Sequence, residues 1–148
     1  MIETDEYLVQ KVIDDATLIS LMGITVNDKR IYAWYPTMDV VYESSYPCAI
    51  AYRKSVRGRG AEWSYPYQYP NIAYYLRTLS INQLVLGQVA ERLIELFDET
   101  YKDYTTSWII GKISINSVTD APTEGDAGNP IFVKVVSFSF NNIFKRIS

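Results

Sequence analysis

The 148-residue chain contains no histidine. Histidine is the side chain that most readily moves protons near neutral pH, and the commonest metal ligand. Its absence excludes Ser-His-Asp and Cys-His catalysis and the usual zinc sites. Carboxylate-only or lysine-based catalysis stays open. There is one cysteine, Cys48, so no intramolecular disulfide can form, which accords with a reducing compartment. No apolar run approaches the roughly 18 residues of a membrane span. The acidic start Met1-Ile2-Glu3-Thr4-Asp5-Glu6 lacks the charged-then-apolar pattern of a signal peptide, so the expectation is a protein that is neither membrane-bound nor exported by that route. A basic excess is also missing. Fourteen Lys+Arg against 17 Asp+Glu leave a net charge of −3, a poor balance for a dedicated nucleic-acid binder.

Apolar residues are plentiful. Hydrophobic residues make up 48% and charged residues 21%, enough for one core and a single domain spanning 1–148. The thirteen tyrosines stand out, five of them between Tyr65 and Tyr75. Tyrosine joins a large apolar ring to a polar tip and suits interfaces and half-exposed strands.

The order of elements follows from periodicity. Thr4 or Asp5 is the expected cap of a first helix, with Leu8, Val12, Ile13, Ala16, Leu18 and Ile19 at helical spacing and Gly23 as its stop. Asn27-Asp28 signals a turn. Arg30–Tyr35 reads as a strand ended by Pro36, and Pro47 leads a second, Cys48–Arg53. Arg53–Gly60 reads as a basic loop, and Trp63–Pro70 as extended and partly exposed. Asn71–Ile81 is a strand with Ile72, Tyr74, Leu76 and Thr78 on one face. Ser80 or Asn82 caps a second helix whose stripe is Leu86, Val89, Ala90, Leu93, Ile94 and Phe97. Gly87 inside it implies close packing on the sheet. Ser107–Val118 and Ile131–Phe140 are strands separated by a long loop, Thr119–Pro130. The order α-β-β-β-α-β-β predicts an α+β domain, a mainly antiparallel sheet with two helices packed on one face. The other face is left to solvent or to a neighbouring subunit.

Candidate sites are few. Arg53, Lys54, Arg57 and Arg59 form a basic cluster, suited to a phosphate backbone or an acidic neighbour, or simply to a solvated hairpin tip. Tyr65, Tyr67 and Tyr69 suit contact with protein more than base stacking, because stacking sites normally lie in a basic groove. Asp98, Glu99, Asp103, Glu124 and Asp126 are the candidate acidic counter-surface. Asp120, Glu124 and Asp126 lack the ladder of a calcium loop. Asp14-Asp15 and Glu91/Glu95 read as solvent-facing charges on helices. Gly58-Arg59-Gly60 is no phosphate fingerprint, and Cys48 has no activating histidine. No catalytic residue, cofactor or metal ligand is assigned.

Several of these segments together resemble the tail-terminator (tail-completion) proteins of long-tailed bacteriophages. They are the first helix closing at Leu21-Met22-Gly23, Arg30-Ile31-Tyr32 with Pro36 after it, and Pro47–Tyr52. The Leu76–Glu99 strand and helix and the closing strand Phe132–Phe140 complete the pattern. The chain departs from it in the long Arg53–Pro70 and Thr119–Pro130 segments. The resemblance implies a non-enzymatic virion protein, assembled in the host cytoplasm into a ring, commonly a hexamer, on the finished tail tube. Such a ring stops tube polymerisation, meets the neck or connector of the head, and lets DNA through its lumen without specific binding. Its partners would be other copies of itself, the tube protein and the connector. Alternatives are another head–tail joining or tail-tube component, or, in a different class, a small nucleic-acid module or enzyme.

Overall fold

A computed structural model of the protein describes residues 2–33, 48–58, 70–98, 102–105, 107–126, 128–140 and 143–145. Its first helical stretch is two helices rather than one, α1 (Ile2–Ile13) and α2 (Ala16–Met22). The break comes at Asp15, whose backbone is extended and whose carboxylate accepts from the Leu18 N–H, satisfying a donor that a helix start leaves open. The new axis changes which residues face inward. Leu8 and Val12 of α1 and Leu18 and Met22 of α2 are buried, while Ala16 and Ile19, in phase with an unbroken helix, are exposed. Gly23 ends α2 in the left-handed conformation, and its N–H and that of Ile24 both reach the Ile19 carbonyl.

Strands β1 (Ile31–Ala33), β2 (Cys48–Gly58) and β3 (Pro70–Ser80) follow, then α3 (Gln83–Asp98). The chain closes with β4 (Asp103–Tyr104), β5 (Trp108–Ile110), β6 (Ser114–Asp126), β7 (Asn129–Phe140) and β8 (Ile143–Lys145). The main sheet has the order β1-β2-β3-β7-β6 and is antiparallel except for the β1–β2 pair. A second sheet, β4-β5-β8, is antiparallel throughout. Among the described residues the fold is α+β, with three helices on one face of the main sheet where two were expected in the whole chain.

That covered face is the one the β3 alternation predicted. Ile72, Tyr74, Leu76 and Thr78 are all buried, beside Ile50 on β2 and Val136, Phe138 and Phe140 on β7. Helix α3 lays Leu86, Val89, Ala90, Leu93 and Phe97 onto it, and the Phe97 ring stacks on Phe138 at 4.4 Å. Asn82 is its cap, accepting from the N–H groups of Leu84 and Val85. The opposite sheet face carries a smaller buried cluster, Ala49, Ala51, Leu79, Ile131 and Val133.

Two loop expectations and one strand expectation are corrected. Residues 53–58 belong to β2, paired with β3 as far as Gly58↔Pro70. The expected Thr119–Pro130 loop is the paired end of β6 and β7, closing at Asp126↔Asn129, with bulges between Ile115 and Ser117 and between Ala121 and Glu124. Pro122, which has no N–H for the ladder, falls within the second bulge. The expected strand Ser107–Val118 is split, because Ile110 and Ile113 both bury into the main core and the chain changes sheet between them. Lys112 lies at that crossing and binds the C-terminal end of α3 through the Asp98 carbonyl and, at 3.2 Å, its carboxylate.

Candidate functional site

Helix α1 is tied on both flanks by side-chain hydrogen bonds. Thr4, Leu8 and Val12 recur every four residues and are fully buried, so Glu6 and Gln10 form an exposed outer ridge. The residues expected to cap the helix bind the sheet instead. Tyr74 Oη donates to Asp5 Oδ1 at 2.5 Å and lies 2.9 Å from Thr4 Oγ1. Lys54 Nζ donates to Asp5 Oδ2 at 3.0 Å. On the other flank Glu3 accepts from Thr105 Oγ1 at 2.8 Å, the Ser107 N–H at 3.0 Å and Ser107 Oγ at 2.9 Å. Lys11 reaches Asp103 at 4.0 Å.

Two open grooves run along the flanks of this ridge and share Glu6 and Gln10. One, of about 400 Å³, is lined by Asp5, Val9, Ile13, Lys29 and Tyr52. The other, of about 340 Å³, is lined by Glu3, Tyr7, Tyr104 and Thr105. The first meets the loop between α2 and β1, which is braced throughout. The Thr25 N–H donates to the Asp28 carbonyl at 2.8 Å, and the Asp28 N–H to Thr25 Oγ1 at 3.0 Å. The Asp28 carboxylate accepts from the Arg30 N–H at 3.2 Å, Arg30 Nη1 at 3.3 Å and Tyr32 Oη at 3.1 Å. Arg30 has φ 59° and is 1% exposed, an unusual setting for a long charged residue.

Every resolved protonation shift moves away from neutrality. Burial, then the Asp5 acceptor, push the Tyr74 hydroxyl far above the tyrosine range. Burial and a nearby carboxylate also raise Tyr32 and Tyr52. The Thr105 and Ser107 donors hold Glu3 below the usual carboxylate range, and Arg92 does the same for Asp15. Burial opposes the Lys54 charge, but its hydrogen bond to Asp5 prevails and the group is raised. A general acid or base needs a pKa near the operating pH. These groups are set to keep fixed charges and fixed protons, as in structural networks. Among the described residues no group of three or more His, Cys, Asp or Glu is placed to hold a metal ion. No described helix is long and apolar enough to cross a membrane.

The basic cluster is divided by the pleat of β2. Arg53 lies over the Tyr75 ring at 5.1 Å, while Lys54 points to the helix face and Asp5. Arg57 lies in β2 opposite Asn71; its side chain, Arg59, Tyr65, Tyr67 and Tyr69 lie outside the described residues. Of the acidic set, Asp98 is engaged by Lys112 and Asp103 by Lys11. Glu124 and Asp126 lie in β6 with their side chains outside the description, as is Glu99 altogether. Asp15, expected to face solvent, instead takes a two-pronged contact from Arg92, at 2.6 and 3.0 Å. Sequence reasoning missed the Asp5–Tyr74–Lys54 cluster, the Glu3 cradle and the Asp28 clamp. The sequence singled out Lys54 in the basic cluster, Asp5 as a cap and Asn27-Asp28 as a turn, but not the contacts these residues make.

No protein-family model matches this sequence, and no curated protein matches it. In fold, the chain is similar to a chain in the solved structure "Virion of native gene transfer agent (GTA) particle". The likeness covers 94% of this chain and 92% of that one, at a TM-score of 0.55 and 8% identity.

Proposed function

We propose that this protein is a structural subunit of a phage-type virion, a tail-terminator-like protein whose ring caps the tail tube, stops its growth and offers a docking surface to the head connector. The observation that carries this reading is the end-to-end likeness to a chain of a gene transfer agent virion, in a chain whose segments resemble tail terminators. The site chemistry supports a non-catalytic role, because its resolved ionisable groups are held away from neutrality. In this reading the partners are further copies of the chain, the tube and the connector. Arg53, Arg57, Arg59 and the Tyr65–Tyr69 segment are then candidates for contacts within or between rings.

The test is electron microscopy of the purified protein with tail tubes that lack a terminator. Rings on one tube end, with growth halted, are the expected result. Tubes that stay bare and keep growing would remove the capping role and favour a neck component.

A further inference from the structure

We propose that the loop of residues 25–30 is a docking knob for a second copy of this chain. Val26 of one copy seats between Tyr7 and Tyr104 in the groove of the next, with Lys29 against Glu6. This deepens the ring reading above and rests on it.

Val26 is 93% exposed, and one exposed valine alone means little. Its support is what sets it apart. A solvated turn does not need a carboxylate bound by an N–H, a guanidinium and a phenol. Nor does it need a buried arginine at positive φ whose carbonyl takes the Ile50 N–H at 2.8 Å. Strain of this kind persists only where the surroundings over-determine it, and it clusters at functional segments. Here the bracing presents an apolar tip in a fixed position, which lowers the ordering cost of docking.

The groove is complementary. Its lining includes the rings of Tyr7 and Tyr104, the latter 51% exposed, with the Lys11 and Lys102 ammonium groups 5.8 and 5.6 Å from their centroids. Its rim carries exposed Glu6 and the charged Glu3. Exposed Lys29, three residues from Val26, supplies the opposite charge, which sets register and partner choice. Knob and groove lie on opposite flanks of the Glu6–Gln10 ridge, since Lys29 lines one groove and Tyr104 the other. Lys29 and Glu6 line one groove within a copy, whereas Val26 meets Tyr104 only between copies, head to tail, and such contacts close into rings when the rotation permits.

The test mixes Val26→Cys protein with Tyr104→Cys protein under mild oxidation, alone and with tail tubes. Each variant mixed with wild type controls for Cys48. A disulfide-linked dimer specific to the pair is expected. Val26→Asp should weaken self-association by roughly tenfold or more, the scale set by burying one valine. Lys29→Glu in the Val26→Cys chain should weaken the cross-link, and Glu6→Lys in the Tyr104→Cys chain should restore it, which separates a contact between copies from the groove that Lys29 and Glu6 line within one copy. Circular dichroism checks that each variant is folded. A specific cross-link in protein that never caps tubes keeps the contact and removes the tail-capping reading. Tubes capped normally by Val26→Asp protein, with no specific cross-link, overturn the contact alone. A groove that instead binds only the tube protein also overturns it.

Discussion

The Asp15–Arg92 contact joins elements 77 residues apart and can be dissected by substitution. Asp15 does two jobs with one carboxylate. Oδ2 accepts from the Leu18 N–H at 3.0 Å as the cap of α2, and the pair Oδ1/Oδ2 takes Arg92 Nη2 and Nε. The side chains are only 9% and 22% exposed, so solvent screens them less than a surface pair. Asp15→Asn keeps the cap oxygen but removes the charge and turns an amide donor toward the Arg92 Nη2 prong. It should destabilise by about 1–1.5 kcal/mol, the difference between charge-assisted and neutral hydrogen bonds. Asp15→Ala also removes the cap, worth about 1 kcal/mol, for a total of about 2–3 kcal/mol. At this chain length that lowers Tm by about 4–12 °C. The assay is urea unfolding at neutral pH for wild type, both variants, Arg92→Ala and the Asp15→Ala/Arg92→Ala pair, with a coupling of about 1–2 kcal/mol expected. Arg92 lowers the folded pKa of Asp15 below its ordinary 3.8. The charge contribution is therefore complete above that value and is lost as pH falls through the folded pKa, so wild type and Asp15→Asn should converge in acid. Asp15→Asn indistinguishable from wild type at pH 7, or a coupling below about 0.5 kcal/mol, would refute the account and leave Asp15 as a cap alone.

Gly87 was expected to mark close packing, but a Cβ there would meet nothing within 4 Å. Gly87→Ala should therefore stabilise the monomer by about 0.5–1 kcal/mol through helix propensity, read from the urea midpoint, and a destabilised variant would show hidden crowding. Tyr74→Phe should lose about 1–2 kcal/mol at pH 7, because Asp5 loses its phenolic donor and keeps Lys54. The raised Tyr74 pKa means folding retains a proton that unfolded tyrosine, with pKa 10.0, releases. Stability should then fall as pH rises beyond that value, and more shallowly in Tyr74→Phe; identical slopes across pH 8–11 would count against the assignment. Charge reversal at Arg57 and Arg59 should reduce ring assembly or tail attachment, scored by microscopy, with the thermal melt unchanged. Normal assembly would remove these residues from the interface.

The parts legible in the sequence were those whose pattern reports burial directly. The stripe of α3 and the alternation of β3 each lie on a single apolar face, so their periodicity survives into the fold. The break after Ile13 was hidden because Asp14 and Asp15 suit an exposed helix face as well as a cap, and only the inward phase of Leu18 and Met22 separates the two. The half of β6 beyond Val118 was hidden for a different reason. Residues 116–120 are exposed along the sheet edge, where polar residues, a proline and bulges discourage edge-to-edge pairing. The same composition signals a loop. Site residues were less legible still. Glu3 meets Ser107 and Asp5 meets Tyr74 across 104 and 69 positions, and no local spacing encodes contacts of that kind.

The distribution of those long-range contacts bears on assembly. A ring needs two different patches on each subunit, held at a fixed angle, because an error in the angle accumulates from copy to copy and the ring fails to close. In the contact proposed above the two patches flank α1. A lone helix of 12 residues is marginal in water, yet this one is tied on one side to β2 and β3 through Lys54 and Tyr74. On the other it is tied through Glu3 to Thr105 and Ser107. The ties join the helix to the main sheet and to the turn between β4 and β5, beside the groove at Tyr104. Fixed charges and retained protons serve that purpose better than groups titrating near neutrality, since a contact that changed protonation during assembly would change the subunit angle with it.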